Sequence, residues 1–239
     1  IWYFILIYCM LNVDVVLGVE DIPKFTCGSY AVAVIDVLRA SSTIATALFN
    51  GALKVYVFRE IEDAINFSKH KSNCILAGER GGLRIEGFQL GNSPLEFSKE
   101  MVYGKYISFT SSNCAKAVEA ARNVKHMILA CFINLSSAAN YLKHLHSKYG
   151  LNIALICAGR YGYPSSEDIF CAEILRDIII GVLDKPPAKC FSSFLKHTSA
   201  GRNLIKLGFI NDVEYCGVVD LIDIIPVWDG DGFIGVRLS

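Results

Sequence analysis

The sequence predicts an α/β protein: a mainly parallel sheet with helices on both faces, in a three-layer α/β/α arrangement. Strand-like and helix-like segments alternate from residue 13 to residue 183. The strand runs are almost continuously apolar, as in AVAVI at 31–35, which fits strands covered on both faces. The junctions that follow them are rich in Gly, hydroxyls, amides and carboxylates. A repeated strand–loop–helix order implies parallel strands joined by right-handed crossovers.

The elements follow in order. Residues 1–11 (IWYFILIYCML) are nearly all apolar and hold no Lys or Arg. They are too short to span a bilayer, which takes about 20 residues. They also lack the basic start and small-residue cleavage site of a signal peptide. Met10 reads as the natural start, and 1–9 as a non-native or disordered extension. The first strand is expected over 13–17 and the second over 31–35. A helix over 42–50 closes at Gly51 in a C′ position. A strand over 55–58 and a helix over 60–70 follow, the helix with Ile61, Ala64, Ile65 and Ser68 at helical spacing. Further strands are expected at 74–77, 106–109, 127–130 and 153–157, with helices at 114–122, 136–149 and 167–183. Pro186-Pro187 marks a break or an insertion, and 220–226 and 230–236 read as strands around a turn. Residues 10–239 form the functional domain, with a subdivision near 100–110 if two lobes share a cleft.

Lys+Arg 23 balances Asp+Glu 23, so the net charge is zero. No basic surplus points to nucleic acid, and nothing beyond the first residues points to a membrane. The 9 cysteines form no C-x-x-C pair. Several, among them Cys74, Cys131, Cys157 and Cys171, sit in apolar runs and read as reduced, buried thiols of a cytoplasmic protein. The five histidines, at 70, 126, 144, 146 and 197, avoid the junctions and read as surface residues.

The chemistry concentrates at the strand ends. The segment AVAVIDVLRASST (31–43) runs from a buried strand into Asp36, then Arg39, then Ser41, Ser42 and Thr43 at a helix start. In an open α/β sheet, ligands bind beyond the carboxyl ends of the strands. An Asp there suits a hard cation such as Mg2+. An Arg and a helix N-terminus suit a phosphate or sulfonate. Four more junctions are similar: GERGG (78–82) with GFQLGNSP (87–94), TSSN (110–113), FINLS (132–136), and AGR (158–160) with SSED (165–168). Singly, the hydroxyls of Ser42, Ser112, Ser136 and Ser166 are explained by helix capping, and Asp36 with Arg39 by a buried ion pair. Together, five such junctions point to a site.

Asp36 is the first expected metal ligand, with Glu79, Glu167 or Asp168 supplying others. Arg39 and Arg80 would hold phosphoryl or sulfonate oxygens. Ser42, Asn92, Ser93, Thr110, Ser111, Asn113 and Asn134 would add neutral hydrogen bonds to the substrate. The catalytic set is Asp36, Arg39, Glu79, Arg80 and Asp168. Leu38 stands where a haloacid-dehalogenase-type phosphatase needs a second Asp. GERGGL lacks the order of a phosphate-binding P-loop.

VIDVLRASSTI (34–44), GERGG (78–82), GFQLGNSP (87–94), FINLSS (132–137), and CAG (157–159) with Glu167-Asp168 keep the order and approximate spacing of a known family. On these segments the chain resembles the 2-phosphosulfolactate phosphatases of coenzyme M biosynthesis, over about residues 12–238. The resemblance implies Mg2+-dependent hydrolysis of 2-phospho-3-sulfolactate to 3-sulfolactate and phosphate. Its partner would be a small anion carrying phosphate plus sulfonate or carboxylate; a homo-oligomer is left open. One motif departs. The family usually has Thr-Thr-Asn-Gly-Thr where this chain has Ser111-Ser-Asn-Cys-Ala115. A Gly at that place would permit φ > 0 or close approach to a ligand, so the change bears on substrate preference. The alternatives are a phosphatase of another small phosphorylated hydroxy acid and a non-catalytic anion-binding protein with the same pocket.

Overall fold

The computed structural model describes residues 11–25 and 28–238; the expected extension at 1–9 and the start at Met10 lie outside them. The strands are β1 (Val13–Val16), β2 (Tyr30–Ile35), β3 (Lys54–Phe58), β4 (Cys74–Arg80), β5 (Leu83–Arg84), β6 (Tyr106–Thr110), β7 (His126–Ala130), β8 (Asn152–Cys157), β9 (Ile225–Trp228) and β10 (Phe233–Val236). The helices are α1 (Ala40–Phe49), α2 (Ile61–His70), α3 (Lys99–Val102), α4 (Cys114–Ala121), α5 (Leu135–Tyr149), α6 (Ser166–Ile179), α7 (Ser192–His197), α8 (Ser199–Lys206) and α9 (Ile210–Cys216).

One ten-stranded sheet runs in the order β1-β8-β2-β7-β9-β10-β3-β6-β4-β5. β1, β8, β2 and β7 pair in parallel, and so do β3, β6 and β4. The antiparallel hairpin β9–β10 stitches these halves together. β9 pairs with β7 through Ile128 and Val227, and β10 with β3 through Val55 and Phe233. The expected strands around a turn near the end of the chain are this hairpin, shifted a few residues onward. Their place inside the sheet could not be read from local pattern, because antiparallel pairing across about 100 residues leaves no local trace.

The apolar runs make each half a two-faced sheet. Val32, Val34, Met127 and Leu129 from one half pack in the same core as Val55, Ile107 and Phe109 from the other, around α1 and α4. The opposite face of β2, β7 and β8 carries Ala33, Ile128 and Leu155 and is covered by α5, α6 and residues of α7–α9. The opposite face of the β3–β6–β4 half is covered by α2, with Leu76 against Ala64 and Phe88. Helices α1 and α4 thus pack on one face of both half-sheets. Three successive antiparallel pairings set the two parallel halves in opposite directions. Helices α7–α9 occupy the stretch after Pro186-Pro187, and α6 stops at Ile179 rather than running to 183, with Gly181 in a left-handed conformation.

Candidate active site

The junctions after β2, β4, β6 and β8 converge on one cleft. Its walls include Asp36, Arg39, Glu79, Asn92, Ser112, Asn113, Arg160, Glu167, Asp168 and Asn203. Among the described residues no histidine lines it.

Asp36 follows the last residue of β2. The chain then turns through a cis Leu38–Arg39 peptide into α1. The Ala40 N–H donates to Asp36 Oδ1 at 3.3 Å, and the Ser41 N–H to the Asp36 carbonyl at 3.0 Å. The hydroxyl cluster is spent inside the protein. Ser41 Oγ accepts from the Asp36 N–H, Ser42 donates to the Val37 carbonyl, and Thr43 donates to the Asn92 carbonyl. Ser42 is fully buried and does not reach the cleft.

Asp168 and Glu79 are held by backbone donors. Asp168, in the first turn of α6, accepts from Val37 N–H at 2.9 Å and Gly159 N–H at 3.1 Å. It thereby clamps the β2 and β8 junctions together. Glu79 accepts from Gly82 N–H at 2.7 Å and Ser112 N–H at 2.8 Å, tying the β4 and β6 junctions. Glu167 accepts from the hydroxyls of Ser165 and Ser166. Gly78 is required at the β4 end: at φ 149°, a Cβ would stand 2.2 Å from the Thr110 carbonyl oxygen.

Four acidic side chains in one largely buried place repel one another. Burial, then Glu79 and Glu167, push Asp36 up from 3.8 to about 7. Asp168 is also raised, by burial and then by Asp36 and Glu167. Among the described residues no three His, Cys, Asp or Glu side chains form a ready-made metal cage. Such a donor set, all oxygen and open, suits a hard cation that keeps water or substrate oxygens in its shell rather than a closed tetrahedral ion.

The remaining residues singled out in the sequence sort by position. Arg39 lines the cleft, but its guanidinium is already engaged. Nη1 pairs with Asp212 at 2.5 Å, Nη2 donates to the Gly82 carbonyl at 2.7 Å, and the Phe209 ring lies 4.4 Å away. Ser93 donates to the other oxygen of Asp212 at 2.7 Å. Arg80 turns outward from the cleft, donating to the carbonyls of Glu79 and Arg59 and to Thr110 Oγ1. Ser111 accepts from the Ala115 N–H at the start of α4. Asn134 is fully buried and fastens the β7 junction to the strand β9 region, donating to the carbonyls of Leu129 and Ile224. Asn92 and Asn113 do line the cleft. Asn113 Oδ1 accepts from Tyr161 N–H, while Asn92 Oδ1 is buried with no partner. Asp212 and Asn203 were not singled out in the sequence, and Arg160 entered it only as the end of the AGR junction, without a role. Asp212 and Asn203 come from α9 and α8, where no strand-end motif draws attention.

A sequence profile described as 2-phosphosulpholactate phosphatase matches residues 16–231. The chain belongs to the 2-phosphosulfolactate phosphatase family. It is by family a phosphoric monoester hydrolase. A probable 2-phosphosulfolactate phosphatase of Thermotoga maritima is 39% identical over 212 residues, covering 84% of this chain and 90% of that protein. One of Caldanaerobacter subterraneus is 37% identical over 211 residues, covering 82% and 86%. One of Clostridium tetani is 33% identical over 229 residues, covering 90% and 97%. The family's usual Gly is Cys114 here, and the structure shows how it is tolerated. Cys114 is the first residue of α4 and is not among the residues with positive φ. Its backbone N–H still serves Asp36, and its thiol is buried, raised well above its usual pKa by burial and by Asp36 and Asp168.

Proposed function

We propose that this chain is a cytoplasmic, Mg2+-dependent phosphatase that hydrolyses 2-phospho-3-sulfolactate to 3-sulfolactate and phosphate, the step used in coenzyme M biosynthesis. The observation that carries the reading is the convergence of Asp36, Glu79, Glu167 and Asp168 on one cleft in a member of this family. A trianionic or tetra-anionic substrate would not enter beside four carboxylates without a counter-charge. Mg2+, when bound, would neutralise phosphoryl oxygens as charge develops there. Asp36, Glu167 and Asp168 would hold it, with Glu79 at the rim of the same set.

The chain's own groups do the rest. Asp168 and Glu79, each fixed by two backbone N–H groups, keep the four junctions in register. Asn92 Oδ1 is an acceptor buried without a donor, and leaving it so is costly. The seven described cysteines are all free thiols, which fits a reducing compartment. Among the described residues no helix is long and apolar enough to cross a membrane.

The test is phosphate release from 2-phospho-3-sulfolactate by the purified protein, with Mg2+ and with EDTA, beside 2-phospholactate and phosphoglycerate. Turnover that needs Mg2+ and prefers the sulfonate is expected. Full turnover in EDTA, or none with Mg2+, would overturn the reading.

A further inference from the structure

Two cationic side chains line the cleft, Arg39 and Arg160. Arg39 is matched by Asp212 with both partners nearly inaccessible to solvent, so it brings little free positive charge to a ligand. Arg160 has no carboxylate partner among the described residues. Among the described residues its one polar side-chain contact is a long one, 3.4 Å from Nη1 to the Ser199 carbonyl, and the Tyr161 ring lies 5.0 Å from its guanidinium carbon.

The backbone that presents Arg160 is closed and tight. Arg160 N–H donates to the Tyr163 carbonyl at 2.8 Å, and Tyr163 N–H returns to the Arg160 carbonyl at 3.0 Å. The two central residues, Tyr161 and Gly162, have φ of 53° and 82°, as a type I′ turn demands. Asn113 Oδ1 grips the Tyr161 N–H from the opposite wall. Gly159 lets the turn close, since a Cβ there would stand 2.5 Å from the Tyr163 carbonyl oxygen. So a cleft guanidinium with no carboxylate partner among the described residues sits on a braced turn, next to Asp168's own anchor at Gly159. The side-chain amide of Asn203, which makes no hydrogen bond among the described residues, shares the same cleft.

We propose that Arg160, assisted by Asn203, receives the substrate's second strong-acid group, the sulfonate carried one carbon beyond the phosphate ester, and so sets the specificity of the enzyme. This rests on the reaction assigned above. A planar guanidinium matches two oxygens of a sulfonate at once. The carboxylates and their cation would take the phosphoryl group, which leaves the guanidinium of Arg160 for the sulfonate.

The experiment compares kcat/KM for 2-phospho-3-sulfolactate with that for 2-phospholactate, which lacks only the sulfonate, in the full-length protein and in Arg160→Gln and Arg160→Lys. In Arg160→Gln the ratio should fall about 10- to 100-fold, the range of one charged hydrogen-bonded contact, and mostly through KM. Arg160→Lys keeps the charge but not the fork and should fall between. An unchanged ratio, or equal losses on both substrates, overturns the proposal. Calorimetry with 3-sulfolactate tests the same subsite without turnover. Weaker binding to Arg160→Gln supports the assignment even if the protein hydrolyses neither ester, in which case only the assigned reaction fails. Equal affinity, or no binding to either protein, overturns it.

Discussion

Replacing Asp36 by Asn should make the metal-free protein more stable while destroying its activity. Asp36 is buried, and its neighbours Glu79 and Glu167 are also acidic. For a carboxyl raised in the folded state, the sign runs against the usual acid case. Below pH 3.8 the group is protonated in both folded and unfolded chains and costs nothing. Between 3.8 and about 7 the folded chain binds the extra proton, and stability falls as pH rises. Above about pH 7 the full penalty is present, on the order of 4 kcal/mol for a displacement of that size. Asn keeps the shape, and the Ala40 and Cys114 N–H groups that now serve the carboxylate can serve its oxygen. Its amide N–H2 needs partners too, which offsets about 1–3 kcal/mol. A net gain of about 2 kcal/mol remains at pH 8, worth about 4–8 °C in Tm for a chain of this length. The gain should vanish toward pH 4. Loss of a contact made to the reacting centre should lower kcat/KM by about 100-fold or more. Calorimetric melts in EDTA from pH 4 to pH 8, beside phosphate release in Mg2+, read both effects. An Asn variant that melts lower than the parent at pH 8, or retains turnover, would refute the reasoning.

Asp212→Asn should strand the Arg39 charge in the interior and cost about 3–5 kcal/mol, seen as a much lower urea midpoint, although Asp212 itself is not among the residues lining the cleft. Mg2+ should raise the Tm of the parent protein at pH 8, by about 2.7 kcal/mol of added stability at a hundred times its Kd; the rise should be smaller at pH 5, where Asp36 is protonated, and smaller still in Asp36→Asn. Gly159→Ala should open the 160–163 turn, because its Cβ would collide with the Tyr163 carbonyl; a raised KM and faster proteolytic cleavage within residues 159–165 would report it.

Much of the fold was legible because each half-sheet follows local rules. Runs such as AVAVI and MILA, and the polar residues after them, marked β2, β7 and the starts of α1 and α4 to within two residues. The convergence of Asp36, Glu79, Glu167 and Asp168 was legible too, since carboxylates at strand ends have few other uses. What escaped was long-range. The engagement of Arg39 depends on Asp212, 173 residues away. Thr110 and Arg80 sit at a strand end like the others, yet satisfy each other and the Arg59 carbonyl, and the choice between facing a ligand and facing a neighbour is made by tertiary packing. Arg160 was visible in the AGR triplet, but that it has no carboxylate partner among the described residues is something only three-dimensional placement can show.

The hairpin β9–β10 also bears on how the molecule comes to exist. A chain leaves the ribosome from its N-terminus, and domains fold as their residues emerge. The four carboxylates of the cleft are synthesised before residue 169, but among the described residues the strand pairing between the two half-sheets runs through strands beginning at Ile225. Until that segment is released, Val227 cannot meet Ile128 and Phe233 cannot meet Val55, and the unpaired flanks of β7 and β3 are exposed. Such open strand edges invite pairing with other chains. A premature stop before residue 225 would therefore leave all four acidic residues intact and still yield a protein with no assembled cleft and a tendency to aggregate.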